Sequence, residues 1–447
     1  MLRAVSVLVS GTAAGYAVTA LAMPVVSRLY TPADFGLLAV FTGIVTTIGV
    51  AASLRYDVAV ALPESNDEAI ALLVLSLLVA LLVSLLALVI VGWSFEPFAR
   101  WIAQPGIDQA RWLIPFGIFL AAAWSALQNW HLRGHRFGLL AKARIGQAAV
   151  CVATQAGGAL TGFGSVALLA GLPAGSLASG VIYLASAWKD LADWLGRRQH
   201  ARLVTVAREY RRFPAYSTWE ALFNQAAIHL PILLIAGATT TAEAGYLMLG
   251  VYVLQIPMSL LGSAIGQAYL SRAPSAFREG HLLGFTNDVL ANLVKGGAGP
   301  ILAVGIVAPV AMPLVFGAPW ERAGWLVTWM TPWFLLQFLA SPVSMALHVV
   351  GAQRAAMSLQ LFALITRLGM TWLAIQLANE RVAEAYALSG AVTYLGYLAL
   401  IKLYLRRASR EESRLSLRPC LVWIAPWLIG GSVLAILITR IDSLYAS

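Results

Sequence analysis

Arginines inside apolar segments are the residues of this sequence best suited to bind an anion. Arg367 lies about thirteen residues into an apolar run, which places it near the middle of a bilayer-crossing helix. A charge at that depth costs roughly 2.5 to 3.5 kcal/mol, so we expect its side chain to face an interior cavity. Gln360 precedes Arg367 by seven residues and shares its helix face. The alternative is a structural Arg367, paired with a buried acid or with backbone carbonyls.

A second charged stretch, LRYDVAVAL at residues 54–62, ends another apolar run. Arg55 and Asp57 lie close enough to the inner membrane edge for a long side chain to snorkel to the surface. The pair therefore fits either membrane anchoring or the lining of a substrate cavity. Asp57 is also a candidate carrier of a proton or sodium ion.

The seventh apolar run carries polar residues on one helix face. Glu220 and Asn224 are four residues apart, so they lie one above the other on a helix. They are candidate cavity residues, and Glu220 is a second candidate for ion coupling. A hydrogen-bonded contact with another helix explains them equally well.

Motifs for enzymatic chemistry are missing from the sequence. None of the four lysines follows the glycine of a Walker A loop, and no HExxH motif occurs. Cys151 and Cys420 lie in or beside apolar runs and indicate neither a disulfide framework nor a metal site. We therefore expect a protein that is not an enzyme and that needs no cofactor or metal.

The elements that must position these residues are membrane helices. The chain has 447 residues, is 60% hydrophobic and is only 11% charged. Apolar runs of about 20 residues, each long enough to cross about 30 Å of hydrocarbon, recur throughout. Alternating strand patterns are absent, so we predict an all-α polytopic membrane protein. Twelve runs form two sets of six, and a further run at 420–439 is a candidate thirteenth helix.

The net charge of +10 follows membrane topology and does not indicate a nucleic-acid-binding surface. Most of the 30 Lys and Arg residues fall in loops on one side of the predicted spans. By the positive-inside rule that side is the cytoplasm, and the N-terminus is expected there. Membrane lipids are the expected contacts, and no nucleic-acid partner is expected.

A short internal repeat divides the chain into two lobes. RLYTPADFG at 28–36 and TTTAEAG at 239–245 each place Thr at a helix N-cap, an acid in the first turn and Gly after it. Both joints fall on the outer face, with six spans between them. We predict a parallel pseudo-repeat with these parts: N-terminal six-helix lobe 1–188, basic cytoplasmic linker 189–216, C-terminal six-helix lobe 217–405, and basic segment with an extra apolar helix 406–447.

Two prolines precede the two joints at similar distances. Pro24 and Pro231 are therefore candidate hinges for a rocking motion of the lobes. The charges of Arg55 and Arg367 have no charged counterparts about half a chain away. A duplicated scaffold with an unduplicated polar lining favours an asymmetric substrate.

Several stretches resemble the Wzx-type oligosaccharide flippases, in the superfamily of the multidrug exporters and lipid II flippases. They include SRLYTPADFGLLAVF, LRYDVAVALPESNDEA, YRRFPAYSTWEALFNQAAIHLPILLIA and GYLMLGVYVLQIPMSLLGSAIGQAYL. The resemblance covers most of the chain to about residue 400. Family members usually have twelve or fourteen spans, so the run at 420–439 departs from the pattern.

The resemblance implies translocation of a polyprenyl-pyrophosphate-linked oligosaccharide from the cytoplasmic to the periplasmic leaflet. The product would serve O-antigen, capsule or exopolysaccharide synthesis at a bacterial inner membrane, alongside polymerase and chain-length assembly proteins. The resemblance also implies a central cationic cavity, for which Arg55 and Arg367 are the candidates. Three alternatives remain: a multidrug-type exporter of the same superfamily, a polytopic polysaccharide ligase or polymerase, and a non-transporting scaffold.

Overall fold

The computed structural model describes residues 2–102, 105–197, 200–408 and 418–446, and within these ranges it contains helices and no strand. The predicted all-α fold is confirmed. Parts of the predicted linker and C-terminal segment, 198–199 and 409–417, lie outside these ranges. The α-helices are α1 Leu2–Leu29, α2 Pro32–Ala52, α3 Tyr56–Ala59, α4 Asn66–Ile102, α5 Pro105–Gln109, α6 Leu113–Arg133, α7 Phe137–Leu160, α8 Gly164–Gly196, α9 His200–Glu209, α10 Thr218–Ala238, α11 Thr241–Arg278, α12 Leu282–Leu293, α13 Gly299–Phe316, α14 Glu321–Val343, α15 Ala346–Val349, α16 Gln353–Leu377, α17 Val382–Ala408 and α18 Arg418–Ala446.

Many of these helices are long and apolar enough to cross a membrane. Ten such segments occur among the described residues, including the candidate thirteenth helix at Val422–Thr439. Helix α7 has 24 residues but is not among the ten, because Lys142, Arg144 and two glutamines lower its hydropathy. The chain is therefore a multi-pass membrane protein.

The chain folds into two compact units, residues 1–245 and 246–447. Helices α1 to α10 belong to the first unit, α12 to α18 belong to the second, and the boundary falls inside α11. Helix α10, which the sequence analysis assigns to the second lobe, packs against α2 in the first unit. The lobe boundaries drawn from the internal repeat stay a prediction.

The first polar joint is a helix N-terminus with a complete capping box. The Thr31 hydroxyl accepts a hydrogen bond from the Asp34 N–H at 3.2 Å, and the Asp34 carboxylate accepts one from the Thr31 N–H at 2.9 Å. At the second joint, the Thr240 hydroxyl accepts from the Glu243 N–H at 3.3 Å. The capping role predicted for Asp34 is confirmed, because these bonds satisfy donors that lack partners inside the helix.

The two joints also pack against each other within the first unit. A Cβ placed on Gly36 would collide with the Thr241 carbonyl oxygen, and one placed on Gly245 would collide with the Pro32 carbonyl oxygen. The contacts are reciprocal, because the glycine of each joint meets the first helical residue of the other, as in an isologous interface. Glycine is required at both positions because the first turns of α2 and α11 touch backbone to backbone.

The half of the first unit on the predicted cytoplasmic side, its inner half, contains a continuous core that includes the linker helix. Tyr56, Leu72, Trp130 and Tyr183 are buried in it, and Val206 of α9 is buried with them. The linker helix is therefore packed onto the helical bundle through an apolar residue. This packing places α9 beside the short helix α3, where the candidate residues Arg55 and Asp57 lie.

Candidate substrate site

The stretch LRYD forms a sharp break at the inner end of α2. Helix α2 ends at Ala52 and α3 begins at Tyr56. Between them Leu54 and Arg55 adopt left-handed backbone conformations, with φ of 49° and 61°. This conformation costs roughly 1–2 kcal/mol for each residue that carries a Cβ, so two in succession require support from the surrounding structure.

Asp57 follows the break and is buried, with 2% of its surface exposed. Its carboxylate accepts a hydrogen bond from the Ser53 hydroxyl at 2.7 Å and another from the Ser125 hydroxyl of α6 at 2.5 Å. A buried carboxylate is tolerated only when hydrogen bonds compensate its lost hydration, and the two serines supply them. The structure thus joins the predicted site residue Asp57 to Ser125, which the sequence analysis did not single out.

Arg55 is half-buried beside this carboxylate segment. Its Nε is shielded from solvent and makes no hydrogen bond with any described residue. Leaving a buried donor unsatisfied costs about 1–3 kcal/mol or more, so an acceptor that reached this nitrogen would offset that cost.

Arg144 of α7 is a further cation of the same unit, and the sequence analysis did not single it out. Its guanidinium carbon lies 4.6 Å from the ring centroid of Trp124, and its Nη2 lies 3.5 Å from the Gln128 Oε1. Trp124, Ser125 and Gln128 all lie on α6, so the same helix that holds Asp57 also supports Arg144. Trp124 and Arg144 lie equally far from Gly134 along the chain. A helical hairpin that turns at Gly134 places such residues at the same depth, so this spacing could have identified the pair.

Arg367 of the second unit is enclosed by aromatic rings. Its side chain has 4% exposure, and its guanidinium carbon lies 4.4 Å from the Trp333 ring centroid and 5.9 Å from that of Tyr386. Its Nη1 is 3.5 Å from the Tyr386 hydroxyl, which is long for a hydrogen bond. Cation–π attraction therefore provides much of its stabilisation. Gln360, its predicted neighbour on α16, is half-buried and has polar contacts of its own.

The remaining candidates lie on α10 and α1. Glu220 is exposed in the first turn of α10, and Asn224 one turn later is half-buried. Helix α10 packs on α2, where Leu233 and His229 approach Gly43. The candidate hinges lie inside unbroken helices, Pro24 in α1 and Pro231 in α10. The hinge assignment stays a prediction.

A network of ion pairs holds the linker against the inner end of the first unit. The Arg202 guanidinium lies 3.3 Å from the Asp67 carboxylate and 4.0 Å from that of Glu68. The Tyr56 hydroxyl donates a hydrogen bond to the Ala207 carbonyl oxygen of α9 at 3.2 Å. Burial, together with the nearby Glu209 and Glu68 carboxylates, raises the pKa of Tyr210 beside this network, so its hydroxyl stays neutral. The linker is thus tied directly to the LRYD break.

A polar cavity of about 410 Å³ lies at the same inner end of the first unit. Its walls carry equal numbers of acidic and basic side chains, several already paired with each other, so it lacks the net positive charge of an anion site. The charged residues are Asp67, Asp190, Asp193, Arg133, Arg136 and Arg197.

Asp57 and Arg144 both contact α6, and Arg55 lies two residues before Asp57. A guanidinium group can form paired hydrogen bonds to phosphate oxygens, which suits these residues to binding an anion. Among the described residues, no group of three or more His, Cys, Asp or Glu side chains is placed to hold a metal ion.

Comparison with known families identifies the class of protein. Residues 25–323, about two thirds of the chain, match the family described as polysaccharide biosynthesis protein. The chain belongs to this family. A comparison with curated protein sequences found no match. The resemblance to exporters of the multidrug and polysaccharide superfamily is confirmed.

Solved structures show that this polysaccharide biosynthesis protein has a transporter fold. The lipid II flippase MurJ in an inward closed conformation matches with a TM-score of 0.71 and 10% identity, over 99% of each chain. An inward-facing multidrug resistance MATE family transporter of the MOP superfamily matches with a TM-score of 0.55 and 13% identity, over 91% of this chain and 96% of that chain. A MOP superfamily transporter from Pyrococcus furiosus, described as having a binding pocket of reverse polarity, matches with a TM-score of 0.53 and 13% identity over the same shares.

Proposed function

We propose that the protein is a flippase that moves a polyprenyl-pyrophosphate-linked oligosaccharide from the cytoplasmic to the periplasmic leaflet. The observation that carries the proposal is the combination of two findings in one chain. The family concerns polysaccharide biosynthesis, and the fold extends end to end over that of a lipid II flippase. A step of polysaccharide synthesis that needs a transporter fold is the transfer of the lipid-linked precursor across the membrane.

The charges of the site support an anionic substrate. Arg55 and Arg144 lie on elements joined through α6, and Arg55 has a buried nitrogen without a hydrogen-bond partner among the described residues. A pyrophosphate provides several oxygens for bidentate contacts with such groups. Arg367 is proposed as a further cavity residue, with Gln360, Asn224 and Glu220 as polar contacts for the sugars.

The proposed mechanism is alternating access of two lobes. The sugar headgroup crosses through an interior cavity while the polyprenyl tail stays in the bilayer, with Pro24 and Pro231 as hinges. Of the two predicted carriers, Glu220 is the one proposed to carry the coupling ion, because both Asp57 oxygens already accept hydrogen bonds from serines. The protein works in a bacterial inner membrane with a cytoplasmic N-terminus, together with polymerase and chain-length assembly proteins.

A multidrug exporter is the second candidate, because MATE transporters share the fold. Its substrates are amphiphilic cations, and two arginines at the site oppose cation binding electrostatically. A ligase or polymerase would need groups that activate a glycosyl acceptor, and the site offers binding residues only.

The decisive experiment is depletion of the protein in its own cells, followed by leaflet-specific labelling of the lipid-linked oligosaccharide. The labelled precursor is expected to accumulate on the cytoplasmic side, and re-expression of the wild-type chain is expected to restore delivery. Purified protein in vesicles should move the same lipid without altering its covalent structure.

Three outcomes would contradict the proposal. Unchanged periplasmic delivery after depletion, in cells without a redundant exporter, would exclude the flippase function. Chemical turnover of the lipid-linked sugar by the purified protein would favour a ligase or polymerase, and transport of amphiphilic cations alone would favour a drug exporter.

A further inference from the structure

The break between α2 and α3 is stabilised by contacts that the proposed transport function does not by itself explain. Leu54 and Arg55 are both left-handed, although neither is Gly, Asn or Asp, the residues that adopt this conformation most readily. The conformation persists only where surrounding contacts maintain it. The contacts that bracket it are therefore the place to look for a function.

Asp57 bridges the break. Its Oδ1 accepts from Ser53, the residue immediately before the left-handed pair, and its Oδ2 accepts from Ser125 of α6. One hydrogen bond closes the turn and the other fixes the turn to a neighbouring helix. Ser53 and Asp57 are both almost fully buried, so water does not compete for these bonds.

Tyr56 provides a second attachment from inside the break. Its ring is buried in the core of the inner half, and its hydroxyl donates to the Ala207 carbonyl oxygen on the linker helix. The two residues that follow Arg55 are thus held, Asp57 through Ser53 and Ser125 and Tyr56 through α9. Arg55 itself is left with a buried nitrogen that no described residue satisfies.

The direction of the Arg55 side chain depends on this geometry. In a continuous helix each residue advances about 100° around the axis, so straightening the break would turn Arg55 onto a different face. We propose that Asp57 is a positioning residue, which holds Leu54 and Arg55 left-handed through Ser53 and Ser125 and so aims Arg55 at the pyrophosphate of the substrate. The inference deepens the proposed flippase function and rests on it.

This role requires hydrogen-bond geometry at residue 57 and does not require a titrating charge. Asp57→Asn keeps one oxygen acceptor, and its amide can donate to the other serine, whose hydroxyl also accepts. Asp57→Ala removes both bonds. We expect Asp57→Asn to retain transport within about threefold of wild type and Asp57→Ala to lose about tenfold or more.

A glycine at position 54 separates positioning from ion coupling. Glycine adopts the left-handed conformation without the steric penalty of a Cβ, so Leu54→Gly should restore much of the transport lost in Asp57→Ala. Leu54→Ala is the matched control, because it removes the side chain beyond Cβ and keeps the steric penalty of the Cβ itself. A carboxylate that carries the coupling ion cannot be replaced by a glycine three residues away.

The assay is translocation of the lipid-linked oligosaccharide by purified protein in vesicles, measured over a range of substrate concentrations. A positioning defect should raise the half-saturating concentration of Asp57→Ala more than it lowers the maximal rate. The proposal is overturned if Asp57→Asn abolishes transport while its melting temperature stays at the wild-type value. It is also overturned if Leu54→Gly and Leu54→Ala affect Asp57→Ala equally.

Melting temperatures provide a second test of the inference, and this test does not depend on transport. Farnesyl pyrophosphate should raise the melting temperature of the detergent-purified wild-type protein, and Asp57→Ala should lose that stabilisation. Adding Leu54→Gly should recover both the melting temperature and the response to the probe. Suppose that the probe stabilises wild type, that Asp57→Ala loses this stabilisation and that Leu54→Gly restores it, but that wild type moves no lipid-linked oligosaccharide. The flippase function then fails and the positioning role stands. If wild type transports and the pattern is absent, the positioning role fails alone.

Discussion

Arg144 in the first unit and Arg367 in the second unit each make a cation–π contact with a tryptophan, but their surroundings differ. Each arginine lies over a tryptophan of the preceding long helix, Trp124 at 4.6 Å and Trp333 at 4.4 Å. The two tryptophans are separated along the chain by the same interval as Gly36 and Gly245. The two arginines are not, so a fixed shift along the sequence does not align them.

The two arginines differ in how completely the protein encloses them. Arg144 is half-buried; its guanidinium group lies over one ring and 3.5 Å from one amide oxygen. Arg367 is almost fully buried, and a second ring, that of Tyr386, also faces it. A guanidinium shut between rings has few donors free for a ligand, whereas one held on a single ring can still bind an anion. We expect enclosure, more than depth in the membrane, to decide between a structural role and a cavity role for each arginine.

The polar joints behave differently from the arginines, because both copies keep the same spacing and make matching contacts. A backbone-to-backbone approach tolerates only glycine at its closest point, so the register of the joint cannot drift. A long flexible side chain can reach its ring from several positions on a helix. The same duplication therefore remains visible in the joints and is obscured in the arginines.

The largest expected effect comes from the joints. Gly36→Ala and Gly245→Ala each place a Cβ against a carbonyl oxygen that cannot move without separating α2 from α11. We expect each variant to lower the apparent free energy of unfolding by roughly 3–5 kcal/mol, above the usual cost of overpacking because the collision is with backbone atoms, measured by thermal or denaturant unfolding in detergent. Gly180→Ala in α8 is the control, because no atom lies within 4 Å of its added Cβ.

The matching contacts predict similar losses at Gly36 and Gly245. A loss at one position alone, or a loss equal to that of Gly180→Ala, would show that the two joints are not equivalent.

Truncation of Arg367 should be the next largest effect. Arg367→Ala removes a long buried side chain from between Trp333 and Tyr386, and we expect about 2–4 kcal/mol of lost stability from the resulting cavity. The equivalent Arg144→Ala should cost about 1 kcal/mol or less, since Arg144 is half-buried against one ring. Paired melting curves of the two variants measure the difference.

The opposite result would favour the cavity role that the sequence predicts for Arg367. In that case Arg367→Ala melts like wild type, is present at normal levels, and exports less lipid-linked oligosaccharide.

Ligand binding should reverse the order of the two arginines. Arg144→Lys keeps the charge but loses the planar fork that makes paired bonds to phosphate. We expect it to weaken stabilisation by farnesyl pyrophosphate about three- to tenfold, while Arg367→Lys leaves the response nearly unchanged. The dependence of melting temperature on probe concentration gives both values. Equal weakening in the two variants would remove the distinction drawn from enclosure.

The smallest effects should come from ion pairs at the ends of the helices. In the second unit, the Arg322 guanidinium lies 2.6 Å from the Glu384 carboxylate, which has 12% exposure. In the first unit, Arg202 bridges Asp67 and Glu68, all about one third exposed. We expect Arg322→Gln to cost about 1–2 kcal/mol and Arg202→Gln about 0–1 kcal/mol.

The stabilising effects of the two ion pairs should also differ in their sensitivity to salt, because exposed charges are screened more strongly than enclosed ones. Raising the ionic strength should erase the effect of Arg202→Gln before that of Arg322→Gln. The reverse order would show that the Asp67 network is less accessible to solvent than its exposed fractions indicate.

Local and compositional signals account for what could be predicted. The density of apolar runs requires helices, because a backbone in hydrocarbon must satisfy its own hydrogen bonds. Thr31 and Asp34 are adjacent enough in sequence to form their capping box without help from the rest of the chain. Arg55 and Asp57 are conspicuous because charges within apolar runs are costly.

Other features depend on residues far apart in the chain. Nothing near residue 57 indicates that Ser125 completes its hydrogen bonds, since the two meet only when α3 packs on α6. Arg144 looks like a loop residue until α6 and α7 form a hairpin. The two left-handed residues at 54 and 55 occur within a sequence whose local preference is for a continuous helix.

By itself, therefore, the sequence determined the helical membrane class, the two capped joints and the short list of charges that needed an explanation. Only the tertiary structure decided which of those charges are enclosed and which remain available. The physical reason is that the cost of a charge in an apolar chain is local, whereas the groups that offset the cost come from other helices.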